Sequence, residues 1–339
     1  MVQRFIYSKS TKKYILGINK LTKSVQKYIK VDGIIDDFTR VQRSRKKEIL
    51  KIEEVPKDAI ILWVSTGSPL EVKHKLDSMG FANLSYLAFF KYSGLNLKDP
   101  PFITDFRDDF KNNIEKYKYV YNILNDQKSK DIFIKIINFK ISFDYKFMDG
   151  FTNNHTEQYF DKELINNIDN LVFFDGGGYI GDTTAQVIKN YPNYKHIYLV
   201  EPIKEHIKIA KRDLKEFKNI QFIQSGISNS FKTLNFHEEK SFSTTNIDSN
   251  NSIQVDTIDN IIDIGVSYIK LDIEGSEQDA IDGAKKTITK YKPILAICIY
   301  HKAEDWHEIP KKVLAINKDY KVYIRHYMEG IYETVMYFI

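Results

Sequence analysis

One octapeptide, Asp175-Gly176-Gly177-Gly178-Tyr179-Ile180-Gly181-Asp182, limits what this chain can fold into more than any other stretch. The apolar run Leu171–Phe174 stops at an aspartate and three glycines, and the helix-compatible run Thr183–Ile188 follows. Strand, tight turn and helix in that order open a parallel α/β sheet. Glycine lets the backbone turn sharply and come close to a ligand with no Cβ in the way, and the helix start presents free N–H groups.

Downstream the pattern repeats. Strands are predicted at Leu171–Phe174, His196–Val200, Ile220–Gln224, Tyr268–Ile273 and Pro293–Tyr300. Helices are predicted at Asp182–Lys189, Lys204–Phe217, Glu277–Thr289 and Glu304–Ile316. The end departs from this rhythm: Tyr320–Tyr327 and Tyr332–Ile339 read as strands joined by the short turn Met328-Glu329-Gly330. So short a turn joins only antiparallel neighbours, so the parallel sheet closes with one reversed strand.

Upstream, Tyr14–Ile18, Val31–Phe38 and Ala59–Val64 read as strands, with helices at Leu21–Ile29 and Leu70–Met79. This is an incomplete, smaller Rossmann-like α/β unit over 1–98. Its first turn holds Gly17 alone where a dinucleotide site has three glycines, which favours a scaffold, a docking module or a homodimer contact over a nucleotide site. The stretch 99–168, entered at Asp99-Pro100-Pro101, reads as a mostly helical linker, with a helix expected over Phe110–Leu124. The main α/β domain then spans 169–339.

Charge excludes little: the formal net charge is +5 over 339 residues, and the densest basic stretch, Arg40–Lys47, reads as a solvated loop. No nucleic-acid partner is expected. The single cysteine, Cys298, lies in an apolar run, so neither an intrachain disulfide nor a C-x-x-C metal site is available. The N-terminus has no apolar h-region and no stretch reaches membrane-spanning length. The expectation is a cytoplasmic protein, at most peripheral to the inner membrane.

The spacing Gly176-x-Gly178-x-x-Gly181 fits a dinucleotide fingerprint, but the charges flanking it do not. Asp175 and Asp182 would both repel a pyrophosphate seated on the helix N-terminus, each by about 3 kcal/mol at ~5 Å and an effective dielectric of ~20. They suit a ligand with cationic groups, such as the ammonium and sulfonium of S-adenosylmethionine, whose carboxylate Thr183 or loop N–H groups can hold. Glu201-Pro202 ends the second strand, where a carboxylate accepts both hydroxyls of a ribose. In Leu271-Asp272-Ile273-Glu274-Gly275-Ser276-Glu277, two carboxylates, Asp272 and Glu274, fall at the carboxyl end of the fourth strand, where open α/β sheets bind ligands. Ser276 is positioned to cap the next helix, and Glu277 reads as compensation of its dipole. His301 follows the fifth strand, and Arg325-His326-Tyr327 fall at the end of the sixth as rim residues.

Together, Asp175–Asp182, Val200-Glu201-Pro202, Ile253–Ile258, Ile269–Glu277, Gly283-Ala284 with Pro293, and Ile299-Tyr300-His301 with Asp305 resemble the FkbM family of S-adenosylmethionine-dependent methyltransferases. The resemblance covers about residues 165–339. It implies a class I methyltransferase domain that methylates hydroxyl oxygens, often on sugars of surface polysaccharides, glycolipids or natural products. It carries S-adenosyl-L-methionine binding onto Asp175, Gly176, Gly177, Gly178, Tyr179, Gly181, Asp182, Thr183, Glu201, Pro202, Ser225, Gly226 and Asp272. The three consecutive glycines depart from the usual spacing. Asp272 and His301 are the candidate bases and Glu274 the residue orienting a sugar or glycan acceptor. Only Asp272 and Glu274 are clear hard ligands for a divalent metal, so no metal is assigned. The Ser/Thr/Asn-rich loop Glu238–Ser252 is expected to fold over the acceptor. An NAD-dependent oxidoreductase acting on a sugar nucleotide, and a non-catalytic assembly protein retaining the fold, are the alternatives.

Overall fold

The computed structural model describes residues 1–36, 43–44, 47–165, 167–235 and 252–339. The chain forms two compact units. The first comprises Met1–Thr104, Ile134–Asn153 and Met328–Ile331, and the second Asp105–Phe133, Asn154–Tyr327 and Tyr332–Ile339.

The first unit holds β1 (Lys13–Leu16), β2 (Gly33–Ile35), β3 (Arg43–Ser44), β4 (Lys47–Leu50), β5 (Ile60–Trp63) and β6 (Ala82–Ser85) in the order β3-β4-β2-β1-β5-β6. Five of these run parallel, and only the short β3 is antiparallel, to β4. The unit is therefore more complete than the sequence suggests. β4 and β6 escape a reading based on apolar runs because their Lys47-Glu48 and Asn83 interrupt the pattern. β3 and the start of β4 take up the described part of the basic stretch Arg40–Lys47; the rest lies outside the described residues. β5 is buried along its whole length, as a continuous Ile-Ile-Leu-Trp run on a central parallel strand should be. Phe5, Ile15, Val25, Leu62 and Phe89 form the core, with Phe5 and Phe89 edge to face at 5.5 Å.

The helices that leave this sheet start on side chains of the chain itself. Asn19 accepts from the N–H groups of Leu21 and Thr22, and Ser85 from that of Ala88. The helix Pro69–Ser78 has no such bond from its own N-cap, Ser68. Instead one Glu329 oxygen accepts from Leu70 N–H (3.0 Å) and Glu71 N–H (3.1 Å).

The second unit carries β7 (Val172–Gly176), β8 (His196–Val200), β9 (Ile220–Ile223), β10 (Gly226–Ile227), β11 (Lys232–Asn235), β12 (Ser252–Asp256), β13 (Tyr268–Leu271), β14 (Ile294–Cys298), β15 (Val322–His326) and β16 (Thr334–Phe338). Seven of them form one sheet in the order β15-β16-β14-β13-β7-β8-β9. All neighbours are parallel except at β16, which runs against both β14 and β15. The reversed strand expected from the terminal hairpin is thus present, inserted beside β14. β10, β12 and β11 form a separate small sheet. Of the expected lid Glu238–Ser252, only Ser252 is described, and it opens β12.

Two helix expectations need correction. The stretch Glu277–Thr289 is two helices, Glu277–Asp282 and Lys285–Tyr291. They break at Gly283, where a Cβ would lie 2.2 Å from the Ser228 carbonyl oxygen, so the chain is pinned too close to its neighbour for a continuous helix with side chains. Phe110–Leu124 likewise divides, into Phe106–Asn112 and Ile114–Ile123, with Asn113 between them donating back to Asp109. No helix among the described residues is long and apolar enough to cross a membrane.

Candidate active site

β7, β8, β13 and β14 bring the candidate residues to one edge of the larger sheet, the carboxyl end of its parallel strands. The glycine loop leaves β7 and is tied down on three sides. Gly177 and Gly178 N–H both donate to Val200 O at 3.0 Å. Tyr179 N–H donates to Glu201 Oε2 at 3.1 Å. The Lys270 ammonium donates to Gly177 O at 2.7 Å. Gly177 has φ +74°, and a Cβ there would lie 1.9 Å from the Asp272 carbonyl oxygen, so only glycine fits. Tyr179 also holds a left-handed backbone, at φ +44°. Gly181 is the N-cap of the helix starting at Asp182. The N–H groups of Gly177, Gly178 and Tyr179 are thus engaged within the protein.

Asp175 is placed differently from what its neighbourhood in sequence suggests. The parallel register sets Lys270 beside Asp175, and the two side chains pair at 3.0 Å with almost no exposure. Thr184 donates to the other Asp175 oxygen at 2.8 Å. Burial pushes the Asp175 carboxyl up while Lys270 pulls it back. Burial would likewise lower the Lys270 pKa, but the Asp175 charge holds it above the usual lysine value. The charge of Asp175 is therefore matched inside the fold and repels no ligand. The case against a diphosphate rests instead on Asp182, which is exposed at the start of the helix. Lys270 is a site residue that the sequence reading missed, since it sits inside an otherwise apolar strand.

Glu201 follows β8 and is nearly buried. Its Oε1 accepts from Ile203 N–H at 3.0 Å and lies 3.1 Å from His206 Nδ1. Pro202 is half-buried beside it. Thr183 is half-buried, one residue from the hydroxyl that holds Asp175. The Ser225 hydroxyl donates to Gly226 O at 2.8 Å, and Gly226 opens β10 against Val255 of β12.

The second group of residues surrounds His301. Asp272 directly follows β13, and His301 follows β14, the adjacent strand. Asp272 Oδ2 accepts from the Tyr159 hydroxyl (3.0 Å) and Oδ1 from the Tyr300 hydroxyl (3.2 Å). His301 Nε2 lies 3.4 Å from Asp272 Oδ1 and 3.8 Å from Glu274 Oε2, while Nδ1 lies 3.0 Å from Glu277 Oε1. Glu277 is fully buried; the same oxygen accepts Ile273 N–H at 2.8 Å. It opens its helix, as expected, but its side chain folds back to hold His301, and Ser276 makes no capping bond. The link spans 24 residues and has no periodic signal, which is why the sequence shows only the helix start. Glu274 is more exposed and, like Glu333, has a left-handed backbone, at φ +55° and +61°.

The charges in this cluster shift one another. Burial would lower the His301 pKa; Glu277, with Asp272 and Glu274, overrides it and raises it to about 9. Burial would raise the Asp272 pKa, but Lys270, His301 and the two tyrosine hydroxyls hold it below the ordinary aspartate value. Asp305 rises to about 7 through burial and the nearby Glu277, and Glu333 to about 7 through burial and Asp272. The neighbouring charges thus favour the anionic form of Asp272 and the protonated form of His301.

The expected rim residues are interior. Arg325 is buried and binds Asp161 (3.0 Å) and Asp126 (2.8 Å). His326 Nδ1 faces the Thr334 hydroxyl at 2.9 Å, and the Tyr327 and Tyr337 hydroxyls share a bond of 2.7 Å. They hold β15 and β16 in place. Tyr159, from the stretch read as a linker, is the tyrosine on Asp272, and nothing in its local sequence marks it.

Residues 175–322 match the family model of the methyltransferase FkbM domain. The fold is similar to that of the methyltransferase FkbM from Methylobacillus flagellatus KT, at 22% identity and a TM-score of 0.78, over 97% of this chain and 90% of that one. An rRNA methylase from Streptococcus thermophilus matches at 14% identity and a TM-score of 0.36, over 54% of this chain and 93% of that one. No curated protein matches the chain. The match to the FkbM methyltransferase domain thus falls within the second unit, whose seven-stranded sheet carries one reversed strand.

Proposed function

We propose that this FkbM-domain methyltransferase moves a methyl group from S-adenosylmethionine to a hydroxyl oxygen of a sugar or glycan acceptor. The observation that carries the reading is the placement of Asp272, held by two tyrosine hydroxyls beside His301 and backbone to backbone with the glycine loop. The donor set fits the cofactor. The exposed carboxylate of Asp182 at the helix start disfavours a diphosphate, and Glu201 Oε2 has room for a further donor such as a ribose hydroxyl. S-adenosylmethionine supplies an electrophilic methyl group when bound.

The residues of the chain then have to orient the acceptor and take its proton. Asp272 is ionised, so it accepts the hydrogen bond of the attacking hydroxyl and then its proton as the new bond forms. Tyr159 and Tyr300 fix both its oxygens, which keeps it aimed. His301 carries its own proton at neutral pH, so it is not the base there; it offsets the carboxylates and keeps Asp272 anionic. Glu274, exposed at the same edge, orients the acceptor's other hydroxyls. Asp272→Asn is nearly isosteric and cannot take the proton. It should lower kcat by about 10²–10⁴ while leaving S-adenosylhomocysteine affinity within a few fold. Radiolabelled methyl transfer to candidate glycans, with calorimetry against S-adenosylhomocysteine and NADH, checks both parts. Wild-type activity retained in Asp272→Asn would remove Asp272 as base, and binding of NADH alone would remove the cofactor.

A further inference from the structure

The two oxygens of Glu201 are unequally engaged. Oε1 accepts from Ile203 N–H at 3.0 Å and meets His206 Nδ1 at 3.1 Å, whereas among the described residues Oε2 accepts only Tyr179 N–H, at 3.1 Å. An ionised carboxylate is an acceptor with about four lone-pair sites, two on each oxygen. The ring nitrogen facing it is therefore a donor. Oε1 is full and Oε2 has one site left. A ribose offers two vicinal hydroxyls, and a two-point grip needs one site on each oxygen. That grip and the His206 bond cannot coexist on Oε1.

Of the two donors on Oε1, Ile203 N–H belongs to the main chain directly after the strand, and His206 is a side chain that can rotate. Its side chain is 17% exposed, and Tyr179, packed edge-on against it at 4.4 Å, is 44% exposed. The way out is lined by a residue that can itself move. We infer that His206 holds the place of a ribose hydroxyl on Glu201 and yields it when the cofactor binds, so that this histidine sets how tightly the ribose is gripped. The inference rests on the cofactor reading above and adds to it a residue acting through Glu201.

The test is calorimetric titration of the full chain with S-adenosylhomocysteine and with its 2′-deoxy analogue, in wild type, His206→Ala and His206→Gln. Releasing one competing hydrogen bond should tighten S-adenosylhomocysteine binding to His206→Ala by about three- to tenfold. The deoxy analogue should gain much less, and His206→Gln, which keeps a donor, should stay near wild type. In wild type, the His206 ring nitrogen resonances should move when S-adenosylhomocysteine is added, as Nδ1–H leaves the carboxylate. Unchanged or weaker binding by His206→Ala, an equal gain for the deoxy analogue, or a silent His206 ring overturns the inference and leaves the cofactor reading standing. A wild-type chain that binds neither ligand overturns both.

Discussion

His301 sits among three carboxylates with almost no solvent, and that fixes its dependence on pH. Its folded pKa, about 9, lies above the unfolded value of about 6.5. Its stabilising contribution is therefore fully present below about pH 6.5 and is lost as pH rises through about 9. At about 1.4 kcal/mol per unit the loss is on the order of 3 kcal/mol. Urea midpoints measured from pH 6 to 9.5 should fall more in wild type than in Glu277→Gln, which lacks the buried charge; parallel curves would mean that His301 is neutral throughout. The Lys270–Asp175 pair makes a second case. Lys270→Met leaves Asp175 buried with no cation and should cost about 3–5 kcal/mol. Adding Asp175→Asn should recover a large part of it, which a denaturation cycle over the four variants measures.

Among the elements, the helix Pro69–Ser78 depends on a residue far away in sequence. Its first free N–H groups meet Glu329 rather than its own N-cap. Glu329→Ala should therefore cost about 1 kcal/mol, as removal of a side-chain cap does, with a matching shift of the urea midpoint. An unshifted midpoint would leave the contact without energetic weight. What was legible beforehand follows the same division between local and distant. Glycines 176–178, Glu201, Asp272 and His301 announce themselves because each ends a strand whose pattern is local. The reversed β16 was legible for the same reason, since a short turn allows one outcome. Lys270, Tyr159 and the Glu277–His301 pair were not, because register or long-range folding places them and no period marks them. The unequal burial of Asp175 and Asp182, only seven residues apart, belongs to the same class: the strand neighbour that neutralises Asp175 is 95 residues away.

For the molecule as a whole, two compact units mean two sets of cooperative interactions. The glycine loop, Glu201 and Asp272 all lie in the second, and a ligand stabilises only the fold that binds it. S-adenosylhomocysteine at about 100 times its Kd should add about 2.7 kcal/mol to that unit. Calorimetry should then show one thermal transition moving up with ligand while the other stays. A uniform shift would mean that the two unfold as one. The first unit has a largely parallel sheet, and at three of its helix starts Asn19, Ser85 and Glu329 already accept from N–H groups for which a phosphate would compete.

At Gly177 the space for a single methyl is already filled by the carbonyl of Asp272. The loop proposed to hold the methyl donor and the strand end proposed to face the acceptor thus meet main chain to main chain. On the proposed reading a side chain at Gly177 would not act on cofactor affinity alone, because the first thing it displaces is the backbone of Asp272, the proposed base. On the same reading, changes of donor preference have more room at Glu201, where the side chains of His206 and Tyr179 can be exchanged without moving that backbone.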